Sequence, residues 1–177
     1  QAQTILADFP VKAIKIGMIG HHETAKAIHI ILEQNPAIPV ILDPVLAAGG
    51  GTELSSTELI ATINEQLIPR TLVLTPNSIE ARKLSELDSL PDCAFELLAK
   101  GAQYVLITGT HEHSDVVTNH LYHDNQLLES FNWERLPYSY HGSGCTLAAA
   151  IAGLIAQGLD PFNAVLEAQE FTWNSLQ

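Results

Sequence analysis

The sequence predicts an α/β fold in which a mostly parallel sheet is flanked by helices and ends in an antiparallel hairpin. Three observations predict it. Short apolar runs rich in β-branched residues alternate with helix-length amphipathic segments. The runs are apolar almost throughout, which is typical of strands that are covered on both faces. Two further β-rich runs, late in the chain, are separated by turn-forming residues.

The chain up to Thr108 contains four predicted strands and four predicted helices. The predicted strands are Ala13–Ile19, Val40–Leu42, Leu72–Leu74 and Tyr104–Thr108. The predicted helices are His22–Asn35, Ser56–Leu67, Ser78–Leu84 and Pro91–Lys100. Strand–helix–strand repetition at this spacing favours a parallel sheet with helical crossovers.

The second half predicts a hairpin and two helices. Asp115–Tyr122 and Gln126–Trp133 flank the turn-forming His123–Asn125 and are predicted to pair antiparallel at the sheet edge. The helices are Cys145–Gln157 and Pro161–Gln177, the second with Asp160 as its cap and proline at its first position. No repeat or linker divides the chain, so residues 1–177 are predicted to form a single domain. The start without Met and the end within a helical pattern lead us to expect truncation at both ends.

Composition narrows the function classes. Apolar residues at 46% and charged residues at 16% indicate a globular protein with a substantial core. The 20 acidic and 8 basic side chains give a net charge of −12, which disfavours binding to nucleic acid or to an anionic membrane surface. No secretory or membrane-spanning segment is visible, and Cys93 and Cys145 cannot build a disulfide framework. We therefore expect a cytoplasmic protein.

Polar and glycine residues cluster where the predicted strands end. Ligands of open parallel sheets bind at the carboxyl ends of the strands, so these residues are expected to share one edge. They are Gly17 and Gly20, Asp43–Pro44, Thr75–Asn77, and Thr108–Gly109.

The segment Gly142–Cys145 opens a predicted buried helix. Two glycines, Gly142 and Gly144, permit a tight turn around Ser143, and the first turn of the helix adds free N–H donors, which together favour an anion. A cysteine at a helix start is expected to have a lowered pKa, so Cys145 could act as a base or a thiolate. The alternative is a plain helix cap with an inert Cys145.

Two carboxylates are candidates for a metal site. Asp43 ends a predicted strand, where it could bind Mg²⁺ or cap the next turn. Glu80 lies in a predicted first helical turn behind Asn77, where it could complement the helix dipole. Taken together beside an anion-binding turn, Asp43 and Glu80 suit a Mg²⁺–phosphate site, since Mg²⁺ uses one or two protein carboxylates plus phosphates and waters.

The remaining candidates favour structural interpretations. His21–His22 and His111–His113 lack partners at zinc-site spacing and are predicted to be solvated loop residues rather than zinc ligands. Cys93 is predicted to lie in the core. Trp133 and Trp173 are predicted to be packing residues.

Four ordered motifs carry a resemblance to a known family. They are Ala13–Gly20, Leu42–Val45, Leu74–Asn77 with Glu80–Ala81, and His141–Leu147. The set resembles the hydroxymethylpyrimidine/phosphomethylpyrimidine kinases of thiamine biosynthesis, within the ribokinase-like superfamily, and it covers nearly the whole chain. The resemblance implies a three-layer ribokinase-like fold, ATP and Mg²⁺ as cofactors, a small-molecule pyrimidine substrate, and a homodimer as one option. It also implies that the opening strand and the lid lie upstream of Gln1.

The resemblance assigns roles to residues of this chain. Gly17 and Met18 would line the pyrimidine pocket, with Val45 on its other side. Asp43 and Glu80 would hold Mg²⁺, with Asn77 and Thr108–Gly109 at the nucleotide. Residues Gly142, Ser143, Gly144 and Cys145 would form the anion hole for the transferred phosphoryl group, with Cys145 as the candidate base.

One departure from the family pattern keeps alternatives open. The family commonly has Lys-Gly-Gly-His after the fourth strand, and its Lys contacts nucleotide phosphates, whereas this chain has Thr108 to His111 there. Lys12 or Lys15 could compensate for the missing charge. The alternatives are a kinase of pyridoxal or another vitamin precursor, and a protein that binds a pyrimidine without catalysis.

Overall fold

A computed structural model of the protein describes residues 1–47, 55–138 and 140–177. Within them, one six-stranded sheet has its strands in chain order, β1 to β6. The first four strands are parallel, while β5 and β6 are antiparallel. The strands are β1 (Ile14–Ile16), β2 (Val40–Leu42), β3 (Val73–Leu74), β4 (Tyr104–Ile107), β5 (Val116–His123) and β6 (Gln126–Glu134).

Seven α-helices accompany the sheet in these residues. They are α1 (Ala2–Asp8), α2 (His22–Gln34), α3 (Thr57–Thr62), α4 (Ser78–Ser85), α5 (Leu90–Ala99), α6 (Ser143–Ala156) and α7 (Pro161–Leu176). A π-helical turn, Ile63–Leu67, and a 3₁₀ turn, Ile68–Arg70, extend α3. None of the helices described is long and apolar enough to cross a membrane.

Successive side chains of the buried strands point to opposite faces of the sheet, so the protein has two hydrophobic cores. In β2, Val40 and Leu42 face a cluster with side chains from α2 to α5, whereas Ile41 faces a second cluster with α6 and α7. All three side chains are at most 1% exposed. A strand covered on both faces must be apolar at every position, which explains the unbroken apolar runs and confirms the three-layer architecture.

The edge hairpin has the predicted pairing. His123 pairs with Gln126, so Asp124 and Asn125 form a two-residue turn. Their φ angles are 50° and 55°. Both central residues of a type I′ turn need positive φ, and Asp and Asn tolerate it better than most residues.

The structure corrects several boundaries. The strand predicted over Ala13–Ile19 is only Ile14–Ile16, and the predicted helix Ser56–Leu67 changes to π geometry at Ile63. Helix α1 was not predicted at all, and none of its residues is buried. Helix α6 was predicted to be buried, but only one face is; Ala149, for example, is exposed.

Candidate active site

Backbone hydrogen bonds continue past the strand ends and align the four loops. Asp43 N donates to Ile16 O over 2.9 Å, and Thr75 N donates to Leu42 O over 3.0 Å. Asn77 forms a parallel bridge with Thr108. The residues that follow β1 to β4 therefore lie side by side at the carboxyl edge of the sheet, as predicted from their sequence positions.

Asp43 is buried and paired with a lysine. Only 5% of Asp43 is exposed, and Lys15 Nζ lies 3.2 Å from its Oδ2. A Cβ atom built on Gly17 would lie 2.5 Å from Lys15 Nζ, so Gly17 leaves room for the ammonium group. Lys15 was considered only as a source of compensating charge. The signal that could have identified this contact is a lysine within an otherwise apolar buried strand.

Glu80 links the loops that follow β2 and β3. Its Oε2 accepts from Asn77 N over 2.9 Å, its Oε1 accepts from Leu46 N over 3.3 Å, and Asn77 Oδ1 accepts from Glu80 N. Glu80 and Asn77 thus form a capping box at the start of α4. Burial raises the pKa of Glu80 to about 7 against the opposing effect of these hydrogen bonds, and the negative charge of Asp43 adds to the rise. The capping interpretation of Glu80 is confirmed.

The start of α6 presents unpaired donors to the site. Gly142 is the N-cap and has φ +85°, a conformation that other residues rarely adopt. Because Gly142 has no side chain to cap the helix, the first-turn N–H groups stay available to an anion. Gly142, Gly144 and Cys145 are exposed, and Ser143 Oγ donates to Tyr140 O over 3.3 Å.

The expected lowering of the Cys145 pKa is wrong. Partial burial of the thiol raises its pKa, and Asp43 raises it further by charge and by a hydrogen bond, whereas Lys15 opposes the rise. Glu80 acts in the same direction as Asp43. Burial first and the neighbouring carboxylates second therefore raise the pKa, and Cys145 is a thiol rather than a thiolate at neutral pH. The same couplings show that Cys145, Asp43 and Glu80 come together.

The donor set of this corner fits Mg²⁺. Asp43 and Glu80 are both less than 10% exposed, and their mutual repulsion contributes to the raised pKa of Glu80. The two buried carboxylates can carry two negative charges, and the Lys15 ammonium group balances one of them. A further cation could balance the other. Within the described residues no group of three or more His, Cys, Asp and Glu side chains forms a metal cage. Mg²⁺ needs only one or two protein carboxylates, because water and phosphate complete its coordination.

The Thr108–Gly109 segment is fixed from both sides. Thr108 N donates to Pro76 O over 3.0 Å, and Ser78 N donates to Thr108 O over 3.1 Å. On the other side, Gly109 N donates to Asn119 Oδ1 over 3.0 Å. Neither this segment nor its partner Asn119 carries a positive charge.

Two arginines hold the loop that follows Gly109. Arg82, on α4, makes a bidentate contact with Glu112, with N–O distances of 2.8 and 3.2 Å. This contact, chiefly through its hydrogen bonds, lowers the pKa of Glu112 to about 2. Arg135 donates to three carbonyl oxygens of the loop, those of Thr110, Glu112 and Ser114. Sequence reasoning missed these arginines because their partners are 21 to 30 residues away along the chain.

The remaining candidates lie as follows. Met18 is 65% exposed, and Val45 is half-buried with its N–H bonded to Asp43 O. Their role in a pyrimidine pocket stays a prediction. His111 and His113 are exposed, while His21 caps α2 by accepting from Glu23 N. Cys93 is fully buried, as predicted, and Trp133 and Trp173 pack with ring centroids 6.0 Å apart.

Comparison with known proteins identifies the family. The model of the phosphomethylpyrimidine kinase family matches residues 1–177. A putative pyridoxine kinase of Staphylococcus aureus is 33% identical over 100% of this chain and 66% of its own length. A hydroxymethylpyrimidine/phosphomethylpyrimidine kinase of Bacillus subtilis is 33% identical over 89% of this chain and 60% of its own length.

Solved structures give the same result. The pyridoxal kinase of Staphylococcus aureus in complex with ADP has a TM-score of 0.86 and 32% identity, over 97% of this chain and 64% of that one. The phosphomethylpyrimidine kinase of Clostridium difficile has a TM-score of 0.85 and 25% identity, over 99% of this chain and 73% of that one. The chain thus spans roughly two thirds of the length of these relatives. With its ribokinase-like fold and a match along its whole length, the chain belongs to the phosphomethylpyrimidine kinase family.

Proposed function

We propose that this chain carries the phosphoryl-transfer centre of an ATP- and Mg²⁺-dependent kinase that phosphorylates hydroxymethylpyrimidine, its monophosphate, or both. The observation that carries the proposal is the meeting of three features at one corner. The uncapped start of α6 faces the buried carboxylates Asp43 and Glu80, and Cys145 is electrostatically coupled to both. An anion site beside a cation site is what a nucleotide–metal complex requires.

The reaction needs positioning and charge compensation more than covalent chemistry. An acceptor hydroxyl must be held in line with the γ-phosphoryl group, whose equatorial oxygens carry the developing charge. In the proposal the N–H groups of Ser143 to Cys145 donate to those oxygens, in a place where they need no reorientation. Asp43 and Glu80 would hold Mg²⁺, directly or through water, and the bound metal would offset charge on the nucleotide phosphates.

In this proposal Cys145 does not act as a thiolate base. Its raised pKa keeps the thiol protonated in the absence of ligand. A loose phosphoryl-transfer transition state demands little proton removal before the new bond forms. We propose that the Cys145 thiol contacts and orients the acceptor hydroxyl, and that the hydroxyl proton passes late to an oxygen of the transferred phosphoryl group.

The experiment is a kinase assay on the protein as its gene encodes it, with ATP, Mg²⁺ and hydroxymethylpyrimidine or its monophosphate. Phosphoryl transfer is expected, and Asp43→Asn should lower kcat/KM by about 100-fold, as for other groups that stabilise transition-state charge. Asp124→Asn, in the exposed hairpin turn, is the matched control and should retain activity. Absence of transfer at millimolar concentrations of each acceptor would refute the proposal.

A second candidate acceptor is pyridoxal or a related vitamin precursor. It is favoured by the relatives named pyridoxine kinase, which are as similar to this chain as those named for the pyrimidine. Comparison of kcat/KM for the two acceptors, measured side by side, decides between them. An acceptor preferred by 100-fold or more, about 2.7 kcal/mol in transition-state binding, identifies the substrate.

Thr108 motivates a third candidate, a protein that binds the pyrimidine without catalysis. Calorimetry separates it from the kinases, because tight pyrimidine binding without any affinity for ATP would support it. The proposal also includes a cytoplasmic location and a homodimer as one assembly option, and sedimentation equilibrium would test the latter.

A further inference from the structure

A buried polar chain connects helix α7 to the Thr108–Gly109 segment. Gln169, on α7, is 3% exposed, and Asn119, on β5, is 7% exposed. Asn119 Nδ2 donates to Gln169 Oε1 over 2.9 Å, and Asn119 Oδ1 accepts from Gly109 N over 3.0 Å. Two amides that are 50 residues apart along the chain thereby fix one backbone N–H group at the carboxyl edge of the sheet.

The direction of these hydrogen bonds is determined at both ends. The indole of Trp133 can only donate, and it does so to Gln169 Oε1 over 3.2 Å. Gln169 must therefore turn its oxygen toward Asn119 as well, while its Nε2 donates to Val165 O. Asn119 must then donate to Gln169, which leaves its Oδ1 for the Gly109 N–H. Both buried amides are satisfied in this arrangement and in no flipped one.

The hydrogen bond from Gly109 N to Asn119 replaces a main-chain hydrogen bond of the sheet. The β4–β5 ladder ends at the pair Ile107 and His120, two residues before Gly109. Beyond it, the Asn119 side chain takes the place of a main-chain acceptor, so the chain can leave the sheet and still have its buried N–H paired. A Cβ atom on Gly109 would overlap Thr118 O, which shows how closely the segment packs on β5.

We propose that Asn119 and Gln169 are positioning residues for the nucleotide, acting through the backbone of Thr108–Gly109. This inference rests on the proposed function, since it assigns that segment to the nucleotide. Both amides are buried, and Asn119 acts on the segment through the Gly109 N–H. Because Thr108 offers no charge and the backbone groups of the segment are already paired, the segment contacts the nucleotide through the Thr108 hydroxyl, whose placement depends on the Gly109–Asn119 contact.

The test compares variants of Asn119 with a control of similar burial. Asn119→Leu removes the acceptor of the Gly109 N–H and should raise the KM for ATP by about five- to ten-fold, the order expected for one hydrogen bond. The acceptor KM should stay within about two-fold. Asn119→Asp keeps that acceptor and should retain the KM for ATP more closely than Leu, although it breaks the donation to Gln169.

The control is Thr71→Val. Thr71 is 1% exposed, donates to Leu67 O over 2.8 Å and lies at the amino end of β3, away from the carboxyl edge. Its loss should lower the melting temperature without changing the KM for ATP. The proposal would be overturned if the KM for ATP rose equally in Thr71→Val and Asn119→Leu. It would also be overturned if the KM for ATP rose more in Asn119→Asp than in Asn119→Leu.

Two further measurements separate this inference from the proposed function. If wild-type protein binds ATP by calorimetry but transfers no phosphoryl group, the proposed function fails, and the dissociation constants of the same variants still test the inference. If transfer occurs and the Asn119 variants leave the KM for ATP unchanged, only the inference fails. Absence of any ATP binding overturns both. Amide exchange at Gly109 should accelerate in Asn119→Leu, and protection equal to wild type would contradict the contact.

Discussion

Replacing Lys15 with Met tests whether the Lys15–Asp43 pair is part of the stability and the charge balance of the site. Lys15 Nζ lies 3.2 Å from Asp43 Oδ2, and the side chains are 23% and 7% exposed, respectively. Lys15→Met keeps most of the aliphatic stem and removes the charge. The Asp43 carboxylate is then buried without its cation, beside Cys145 and Glu80, which makes the variant destabilising.

The magnitude follows from the geometry. Two unit charges at this distance attract by about 5 kcal/mol at an effective dielectric constant of about 20, and desolvation cancels part of this. Removal of one partner from a buried pair costs about 3–5 kcal/mol. Because Lys15 is partly exposed, we expect a lower value, about 2–3 kcal/mol of unfolding free energy. For a domain of this size that corresponds to a fall in Tm of about 4–12 °C.

The assay is urea denaturation of a double-mutant cycle. Asp43→Asn in the Lys15→Met background removes the unpaired charge and should restore much of the lost stability, so the two changes are not additive. Lys26→Met is the matched control, since Lys26 pairs with Glu23 at 3.1 Å on the surface, with side chains 47% and 64% exposed. The control should cost far less, because solvent screens an exposed ion pair.

The same variant reports on the cation site. Lys15 occupies one oxygen of Asp43, so it competes with a metal ion for this carboxylate. Millimolar Mg²⁺ should therefore raise the Tm of Lys15→Met more than that of wild type. The reasoning is refuted if Lys15→Met is no more destabilised than Lys26→Met, or if the double variant is as unstable as the sum of the single ones.

Four other substitutions give independent checks. Gly109→Ala should cost about 1–3 kcal/mol by overpacking against the backbone of β5, whereas Gly153→Ala, with nothing within 4 Å of its Cβ, should stabilise α6 by about 0.5–1 kcal/mol; urea denaturation measures both. Glu112→Gln should lose the stabilisation that Arg82 gives, about 0.5–1 kcal/mol for an accessible pair, and chemical denaturation across pH measures it. Because the folded pKa of Glu112 is depressed to about 2, the difference from wild type should be full above the unfolded pKa of about 4.5 and shrink as pH falls toward 2. Cys145→Ala should lower kcat more than it raises the KM for ATP, as steady-state kinetics would show.

Each of these checks has an outcome that contradicts it. Equal stability changes for the two glycine variants would mean that β5 moves to accommodate the added methyl group without loss of stability. A Glu112→Gln difference that is as large at pH 3 as at pH 7 would show that the ion pair is not its source. Equal losses of turnover and ATP binding in Cys145→Ala would remove Cys145 from the chemistry.

The sequence predicts the fold well where periodicity and burial coincide. Strand β2 has the predicted bounds because Val40–Leu42 is apolar on both faces and is followed at once by Asp43 and Pro44. Strand β1 is shorter than predicted because its carboxyl end, from Gly17 onward, leaves the ladder to form the site. Helix α1 escaped prediction because none of its residues is buried, so no packing pattern marks it.

The site was predictable in position and less so in electrostatics. Sequence order placed Asp43, Asn77 and Thr108 at one edge because parallel strands share their carboxyl ends. It could not indicate the pKa of Cys145, which depends first on burial and then on Asp43, just after β2, and Glu80, in α4, which approach the start of α6 only in the folded chain. The pairing of Asn119 with Gln169 is likewise invisible, since nothing local marks two amides that meet across 50 residues.

The charges at the carboxyl edge favour binding of ATP together with a metal. Thr108 contributes no positive charge, and the ammonium group of Lys15 is engaged by Asp43. With Glu80 ionised, the corner that faces the start of α6 is net negative, and the whole chain carries −12. A polyanion entering alone meets repulsion that the α6 N–H groups offset in part, so ATP with excess EDTA should bind at least about ten-fold more weakly than ATP with Mg²⁺. Calorimetry measures both affinities, and equal values would mean that protein groups other than Asp43 and Glu80 govern the phosphates.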